Sequence, residues 1–319
     1  MSRKKTIATV GEMLVEFVSH DRNCALEKIS DYSGPYPSGA PAIFLDQVAR
    51  MGAPTEMIGG VGDDGFGLSV LNRLKEDGVG TDGVTVSPNL STGVAFVSYY
   101  DSGDRDFIFH LAGTAADAFD VPLSLLDPKN TFLHVSASSL GAASMRDKIM
   151  EVVRSVSDGR GLISCDPNAR TELMIDPATR EAMHDVMERS YCLLPSTSDL
   201  EFLYPDLSED AAIDKLLNAK AEIVTIKRGA AGATVVGYGE RHDFPGHTVE
   251  EIDPTGAGDC FCGTFVSLLA QGASLFEAGQ RANVAGAIAV TRRGPMEGNS
   301  TLSEITTFLS NMTSKELSA

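Results

Sequence analysis

Residues 249–269 read VEEIDPTGAGDCFCGTFVSLL, in which a β-like stretch, Val249 to Ile252, runs through a glycine turn into an apolar run from Cys260 to Leu269. This order predicts a strand, a tight turn and a helix that begins inside the turn. The first N–H groups of a helix lack intrahelical partners and carry the positive end of its dipole, so they attract anions. The stretch therefore predicts a phosphate-binding turn.

Asp259 lies in the first turn of this helix and conflicts with simple phosphate binding, because its carboxylate would repel the anion. A carboxylate that removes a proton from a hydroxyl attacking the phosphate resolves the conflict. The alternative is an ordinary helix cap, since aspartate caps helices with about 1 kcal/mol of stabilisation. The flanking Asp253-Pro254-Thr255 favours a phosphoryl-transfer site.

The composition limits the classes of protein that this chain can represent. It has 319 residues, 43% of them hydrophobic, and a formal net charge of −18. This length allows one large α/β domain or a core with a small accessory domain. The negative charge argues against nonspecific binding to nucleic acid or anionic membranes. It is compatible with a nucleotide site, because helix termini and metal ions supply local positive potential.

The compartment is predicted from the cysteines and the N-terminus. The five cysteines, an odd number in apolar surroundings, indicate buried, reduced thiols. A basic opening precedes Val10, but Gly11-Glu12 ends the apolar stretch after about five residues, too few for a signal peptide. No run approaches the roughly 20 apolar residues that span a bilayer. We therefore expect a cytoplasmic protein.

Short apolar runs alternate along the chain with helix-like patterns. The β-like runs are Thr6–Val10, Thr55–Ile58, Thr131–Val135, Gly161–Cys165, Tyr191–Leu194 and Ile223–Ile226. The helix-like patterns include Ala42–Met51, Leu68–Asp77, Ser144–Ser157 and Thr179–Arg189. Continuous apolar strands alternating with helices predict an α/β fold, in which helices cover both faces of a mostly parallel sheet.

Two segments, 13–36 and 92–111, break this alternation with period-2 patterns, and the second is typical of a hairpin. We expect them to form a small β-sheet lid over the C-terminal ends of the main strands, where ligands bind open α/β sheets. The core would then comprise residues 1–12, 37–91 and 112–319.

A second glycine cluster, Gly60-x-Gly62-x-x-Gly65, matches a dinucleotide fingerprint, which alone is a weak signal. Asp63 and Asp64 lie where the pyrophosphate should bind, and their charges oppose it. Two other interpretations stay open, a tight strand-to-helix turn and a turn that lines a sugar pocket. The chain contains no Gly-x4-Gly-Lys-Ser/Thr segment and no protein-kinase elements, which excludes those two mechanisms.

Five segments of the chain are Val10-Gly-Glu12, Ser38-Gly-Ala-Pro-Ala42, Gly59–Gly67, Asp166-Pro-Asn-Ala-Arg170 and Asp253–Asp259. In their sequence and order, which cover nearly the full length, they resemble segments of the ribokinase-like (PfkB) carbohydrate kinases. The segment Asp253–Asp259 is highly specific for the family, and Ser38–Ala42 is similar to the corresponding segment of bacterial fructokinases. The resemblance implies a three-layer α/β/α core with a small β-sheet lid.

The resemblance also implies ATP-dependent phosphorylation of a sugar hydroxyl, with Asp259 as the catalytic base. The backbone amides of Gly256, Ala257 and Gly258 would form the anion hole for charge developing on the transferred group. Mg²⁺ would bridge the phosphates. The implied nucleotide-binding residues, besides Gly256 and Gly258, are Thr225, Lys227, Gly229 and Asn283.

Metal binding and assembly are implied in the same way. Asp253 and Thr255 match positions at which family members bind a monovalent cation such as K⁺. The family's Asn-x-x-Glu segment, which organises Mg²⁺ through water, is Ser196-Thr-Ser-Asp199 here, so Asp199 keeps the charge with a shorter reach. Family members often dimerise through the lid, and we expect a homodimer.

The residues implied on the sugar side are Glu12, Gly39, Ala40, Arg105, His110, Asp166 and Arg170. A sugar acid would need a cation for its carboxylate, preferably an arginine. Relatives that act on 2-keto-3-deoxygluconate tend to carry that arginine at the end of the lid strand, where this chain has Leu111. Arg105 and Arg170 fit ordinary ion pairs equally well, and His110 fits a position at the lid interface as well as a contact with a sugar oxygen. We therefore expect a neutral ketohexose, of fructose or tagatose type, with the sugar acid as the alternative.

Two other classes stay open. A nicotinamide-dependent oxidoreductase would use Gly60–Gly65, but Asp63 and Asp64 argue against it. A non-catalytic sugar or nucleotide sensor would explain the Ser196 departure, whereas the intact turn and Asp259 favour an active enzyme.

Overall fold

The computed structural model of the chain describes residues 5–101, 105–169 and 176–316. Within these residues the short apolar runs form strands, because successive side chains of a strand point to opposite faces and both faces can be buried. The strands are β1 Thr6–Val10, β2 Leu14–Ser19, β3 Tyr32–Ser38, β4 Thr55–Gly62, β5 Val84–Ser87, β6 Gly93–Tyr99, β7 Arg105–His110, β8 Thr131–Ser136, β9 Leu162–Asp166, β10 Cys192–Leu193, β11 Ile223–Lys227, β12 Gly232–Gly237 and β13 Glu240–Pro245.

Most of the helices begin beside residues that can satisfy their free N–H groups, as the side chains of Asp64 and Ser274 do. Among the residues described, each helix is too short or too polar to cross a membrane. The helices are α1 Ala40–Arg50, α2 Gly65–Glu76, α3 Ala143–Asp158, α4 Pro177–Arg189, α5 Thr197–Leu203, α6 Glu209–Asn218, α7 Ala257–Ala270, α8 Leu275–Ala289 and α9 Leu302–Glu316.

The large sheet has the strand order β13-β12-β11-β10-β9-β8-β1-β4-β5. Its strands pair in parallel from β5 to β11, and β12 and β13 add an antiparallel end. The carboxyl ends of the parallel strands therefore lie along one edge, the place where such sheets bind ligands.

Helices cover both faces of this sheet. Ile7 of β1 belongs to an apolar cluster with Phe44 of α1 and Phe265 of α7. The next residue, Ala8, belongs to a second cluster with Ile149 of α3. Successive strand residues thus bury apolar surface on opposite sides. The resulting three-layer α/β/α arrangement confirms the predicted fold class.

The small sheet has the order β3-β2-β6-β7, so the segments that break the β/α alternation pair with each other. β2 runs parallel to β6, and β6 and β7 form the predicted hairpin. The ring of Phe17 on β2 packs edge-to-face against Phe66 of α2, with centroids 5.8 Å apart. This contact joins the small sheet to the core.

The stretch Val249 to Ile252 was predicted to be a strand, and this prediction is wrong. The segment is irregular, and the N–H of Ile252 donates to the carbonyl oxygen of Val290, just after α8, at 2.8 Å. A strand requires a neighbouring strand for its backbone groups, and here that partner is the end of a helix.

Candidate active site

Gly256 forms the turn before α7 with a left-handed backbone, φ +80°. A Cβ atom there would lie 2.3 Å from the carbonyl oxygen of Pro295, so both the conformation and the space require glycine. Helix α7 begins at Ala257, and the N–H of Cys260 donates to the Gly256 carbonyl at 2.8 Å. The predicted helix that starts inside the glycine turn is therefore present.

The outer side of this turn is open. Gly258 is exposed, and within the described part of the chain a Cβ added there would meet only Lys227 Nζ, at 3.6 Å. Asp259 is half-buried in the same helical turn. The start of a 14-residue helix thus presents its N-terminal side to an open space with one ammonium group beside it. Such an arrangement fits a phosphate group.

Lys227 is held in place by a buried acid. It ends β11, and its ammonium group donates to Asp166 at the end of β9, whose side chain is 3% exposed. The thiol of Cys262 lies 3.6 Å from the ammonium nitrogen. Burial opposes the charge, but the carboxylate of Asp166 outweighs it and raises the pKa of Lys227. The lysine therefore brings a permanent positive charge to the turn.

Asp166, implied on the sugar side, is thus engaged beneath the turn and presents little surface to a sugar. Lys227, implied on the nucleotide side, lies at the glycine turn. The carboxyl ends of two parallel strands bring the two residues together, although 61 positions separate them in the sequence.

Asp253 and Thr255 lie on the other flank of the turn. One oxygen of Asp253, Oδ1, accepts hydrogen bonds from the Tyr99 hydroxyl and from the N–H of Thr255, at 3.0 Å for the latter. The other oxygen, Oδ2, accepts from the N–H of Gly294 at 2.9 Å. A monovalent cation would therefore find acceptor capacity mainly on Oδ2 and on nearby carbonyls. Sequence reasoning missed Tyr99, which 154 positions separate from Asp253.

The implied sugar side and the glycine turn meet at the first turn of α1. A Cβ on Gly39, which has φ +107°, would lie 2.4 Å from the carbonyl oxygen of Glu12. Glu12 is buried, and Ala40 begins α1 directly after Gly39. One helical turn further, Ile43 Cγ2 lies 3.2 Å from the Cβ position of Gly256. Sequence reasoning also missed Glu16 of β2, a buried carboxylate to which Ser38 donates at 3.3 Å.

The two lid residues implied in sugar binding point to opposite faces. Arg105 pairs with Tyr99 and His110 pairs with Val94, and directly paired residues share a face. Arg105 is therefore on the same face of the small sheet as Tyr99, which contacts Asp253. Its side chain is exposed, and its guanidinium group lies 5.6 Å from the ring centre of Phe107. His110 is on the other face, and its contact with a sugar oxygen stays a prediction. Arg170 lies outside the described residues.

Three implied residues are buried, and two of them, Asp199 and Asn283, have local structural partners. Asp199 accepts from the N–H and hydroxyl of Ser196, each at 2.6 Å, and from the N–H of Ala169 at 2.6 Å. Serine in place of the family's asparagine therefore builds a capping box for α5. Thr225 is fully buried within β11, and Asn283 donates to the Pro245 carbonyl at 2.8 Å.

Gly229 is the implied nucleotide-side residue with open surroundings. It has φ +52°, and no atom of the described chain would lie within 4 Å of a Cβ placed on it. Among the described residues, no cluster of three or more His, Cys, Asp and Glu side chains is arranged to hold a metal ion.

The second glycine cluster forms a tight strand-to-helix turn. Asp64 accepts from the N–H of Gly67 and from the N–H and hydroxyl of Thr92, each at 2.8 Å. Burial opposes its charge, but these hydrogen bonds outweigh burial and lower the pKa of Asp64. Its carboxylate thus ties α2 to the start of the hairpin, which favours the tight-turn interpretation.

A mostly parallel α/β/α core, a small β-sheet beside it and an open glycine turn with an adjacent acid define the ribokinase-like class of phosphotransferases. The chain belongs to the pfkB family of carbohydrate kinases, whose family model matches residues 4–302.

Relatives and solved structures agree with this membership. The chain is 41% identical to a structure described as "putative Ribokinase II in complex with ATP and Mg+2" from E. coli, with a TM-score of 0.90 and 96% and 99% of the two chains covered. It is 30% identical over 308 residues to "Probable fructokinase-5" of Arabidopsis thaliana, covering 92% of this chain and 94% of that protein. Fructokinase with bound ATP from Xylella fastidiosa, at 23% identity and a TM-score of 0.83 over 98% and 100% of the chains, shows the same fold.

Proposed function

We propose that the protein is an ATP-dependent sugar kinase that transfers the γ-phosphoryl group to a hydroxyl of a ketohexose of fructose or tagatose type. One observation carries the proposal. The open N-terminal turn of α7 has Lys227 fixed beside Gly258 and Asp259 in the same helical turn. The "putative Ribokinase II" structure, which contains ATP and Mg²⁺, supports the nucleotide, and relatives named fructokinase support the sugar class.

In this proposal the protein positions the reactants and stabilises charge. Asp259 accepts the proton of the attacking hydroxyl. The amides at Gly256, Ala257 and Gly258 donate to the phosphoryl oxygens, that of Ala257 in place of its 3.4 Å hydrogen bond to the Pro254 carbonyl, and Lys227 adds positive charge beside them. Mg²⁺ would arrive with the nucleotide and neutralise phosphate charge.

A neutral sugar fits the charges near the turn better than a sugar acid does. Glu12 and Glu16 are buried carboxylates next to the first turn of α1, and they would repel a carboxylate of the substrate. Carboxylates accept hydrogen bonds from sugar hydroxyls, so the same residues favour a ketohexose.

The test is Asp259→Asn, with Asp210→Asn as a matched control because Asp210 also lies in the first turn of a helix, α6. ADP release is measured with fructose, tagatose and 2-keto-3-deoxygluconate. We expect Asp259→Asn to lose about 100-fold or more of kcat while nucleotide affinity is unchanged, and Asp210→Asn to match wild type. Near-normal kcat in Asp259→Asn would refute the base assignment.

The substrate panel separates the other candidates. Turnover of 2-keto-3-deoxygluconate without turnover of ketohexoses would make the protein a sugar-acid kinase. Binding of sugar and ATP without ADP release would make it a sensor.

We also propose a homodimer formed through the small sheet. β7 is an edge strand of that sheet, and its Ile108 and Phe109 side chains are 45% and 46% exposed. Edge strands with large exposed apolar residues favour pairing with a second chain. Light scattering should give twice the monomer mass for wild type and the monomer mass for Phe109→Lys. A monomeric wild type would refute the proposal.

A further inference from the structure

The small sheet contacts the glycine turn through one side chain at the end of a strand. Tyr99 is the last residue of β6, and its hydroxyl bonds to the Asp253 carboxylate and to the Thr255 hydroxyl. Gly256, whose left-handed conformation shapes the turn, follows Thr255 directly. The hydroxyl of Tyr99 therefore contacts Thr255, the residue that directly precedes the proposed anion hole.

Asp253 is the point at which several backbone segments meet. It is 1% exposed, and besides Tyr99 it accepts from the N–H of Thr255 at 3.0 Å and from that of Gly294 at 2.9 Å. The next residue, Pro295, places its carbonyl oxygen 2.3 Å from the Cβ position of Gly256. A displacement of Asp253 would thus move both loops that shape the turn.

A second tyrosine of the small sheet supports the same loop. The ring of Tyr36, on β3, lies 2.8 Å from the Cβ position of Gly294, which only a glycine could occupy at φ +113°. Tyr36 packs, whereas Tyr99 donates a hydrogen bond to a buried charge. A hydrogen bond to a charged group is stronger and more directional than a packing contact.

We propose that Tyr99 is a positioning residue, which through Asp253 holds the glycine turn in the geometry that receives the phosphoryl group when the small sheet is in place. This inference rests on the proposed function, with the sugar held between the core and the small sheet, which the sequence predicts to be a lid. Sugar binding would then improve the turn for the nucleotide, because both depend on the position of the same sheet.

The chain offers a matched control in the neighbouring residue. The hydroxyl of Tyr100 also bonds to a carboxylate, that of Asp106, but Asp106 belongs to the same small sheet. Tyr99→Phe and Tyr100→Phe remove the same atom and the same type of hydrogen bond. They differ in whether that bond connects the sheet to the glycine turn.

The first measurement needs no ligand and no activity. Hydrogen exchange of the peptide 253–262 is compared in the two variants and in wild type. We expect exchange in Tyr99→Phe to be about tenfold faster or more, the scale of a lost hydrogen bond to a charged group, and exchange in Tyr100→Phe to match wild type. Equal exchange in all three proteins would overturn the inference.

The second measurement uses the sugar on which the wild type acts and follows kcat and ATP binding with and without it. Tyr99→Phe should lower kcat about tenfold, keep the ATP dissociation constant of the sugar-free protein within about twofold, and abolish the tightening of ATP binding by sugar. Unchanged kcat and coupling, or the same loss in Tyr100→Phe, would overturn the inference. If no sugar is turned over by wild type while the exchange difference is present, the proposed function fails and the positioning contact stands.

Discussion

Replacing Gly256 by alanine tests whether the shape of the turn is what the chemistry requires. An L-residue with φ +80° costs about 1–2 kcal/mol. The new Cβ would also lie 2.3 Å from the Pro295 oxygen, and since such contacts are not shorter than 3.0 Å, the loops must separate by about 0.7 Å. A misplacement of about 1 Å can cost roughly 100-fold in rate. We therefore expect kcat to fall by about tenfold to 100-fold.

Gly272→Ala is the matched control. Gly272 has φ +87°, and within the described part of the chain no atom lies within 4 Å of its Cβ position. It follows the far end of α7, so the variant has the same backbone strain and displaces no neighbour. Denaturation should show a loss of about 1–2 kcal/mol in Gly272→Ala, with kcat unchanged. If Gly256→Ala has a kcat within about twofold of Gly272→Ala, the shape of the turn does not limit the reaction.

Two further predictions concern buried charges. Lys227→Met leaves Asp166 buried without its counter-charge, so urea denaturation should show a loss of about 3–5 kcal/mol in the free energy of unfolding. A second change, Asp166→Asn, should largely restore this stability, and an undiminished stability of the single variant would contradict the prediction. Burial and the charge of Lys227 lower the pKa of His134 to about 3, below its unfolded value of about 6.5, so its contribution is complete above pH 6.5 and is lost as the pH falls towards 3. Between pH 6.5 and 5 the wild type should lose about 1.6 kcal/mol more than His134→Gln, and parallel pH profiles of unfolding free energy would count against this.

The strands and helices show how much of the structure can be predicted from local sequence. The predicted strand Thr6–Val10 has the same bounds in the structure, and the predicted helix Ala42–Met51 is α1, Ala40–Arg50. Burial on one or two faces imposes a period on the sequence, and this period is visible without knowledge of the neighbours. The extended stretch before the turn, Val249 to Ile252, was misjudged because a strand also needs a partner.

In the candidate site, too, some features follow from adjacent residues and others depend on contacts with distant elements. The turn at Gly256 and the start of α7 follow from adjacent residues, since only glycine adopts that backbone at little cost. The positions of Asp166, Asp199 and His110 depended on other elements. A lysine from another strand engages Asp166, a backbone N–H from the loop after β9 binds Asp199, and the register of β7 with β6 puts His110 on the face opposite to Arg105.

The sequence by itself thus determined the alternation of strands and helices, the glycine turn and the acid beside it, because sterics and burial act on neighbours along the chain. Only the tertiary structure decided which charges meet at that turn. Tyr99 reaches Asp253 across 154 positions, and Lys227 reaches Asp166 across 61. Such contacts are set by the packing of sheets and helices on one another, and no local spacing of residues encodes them.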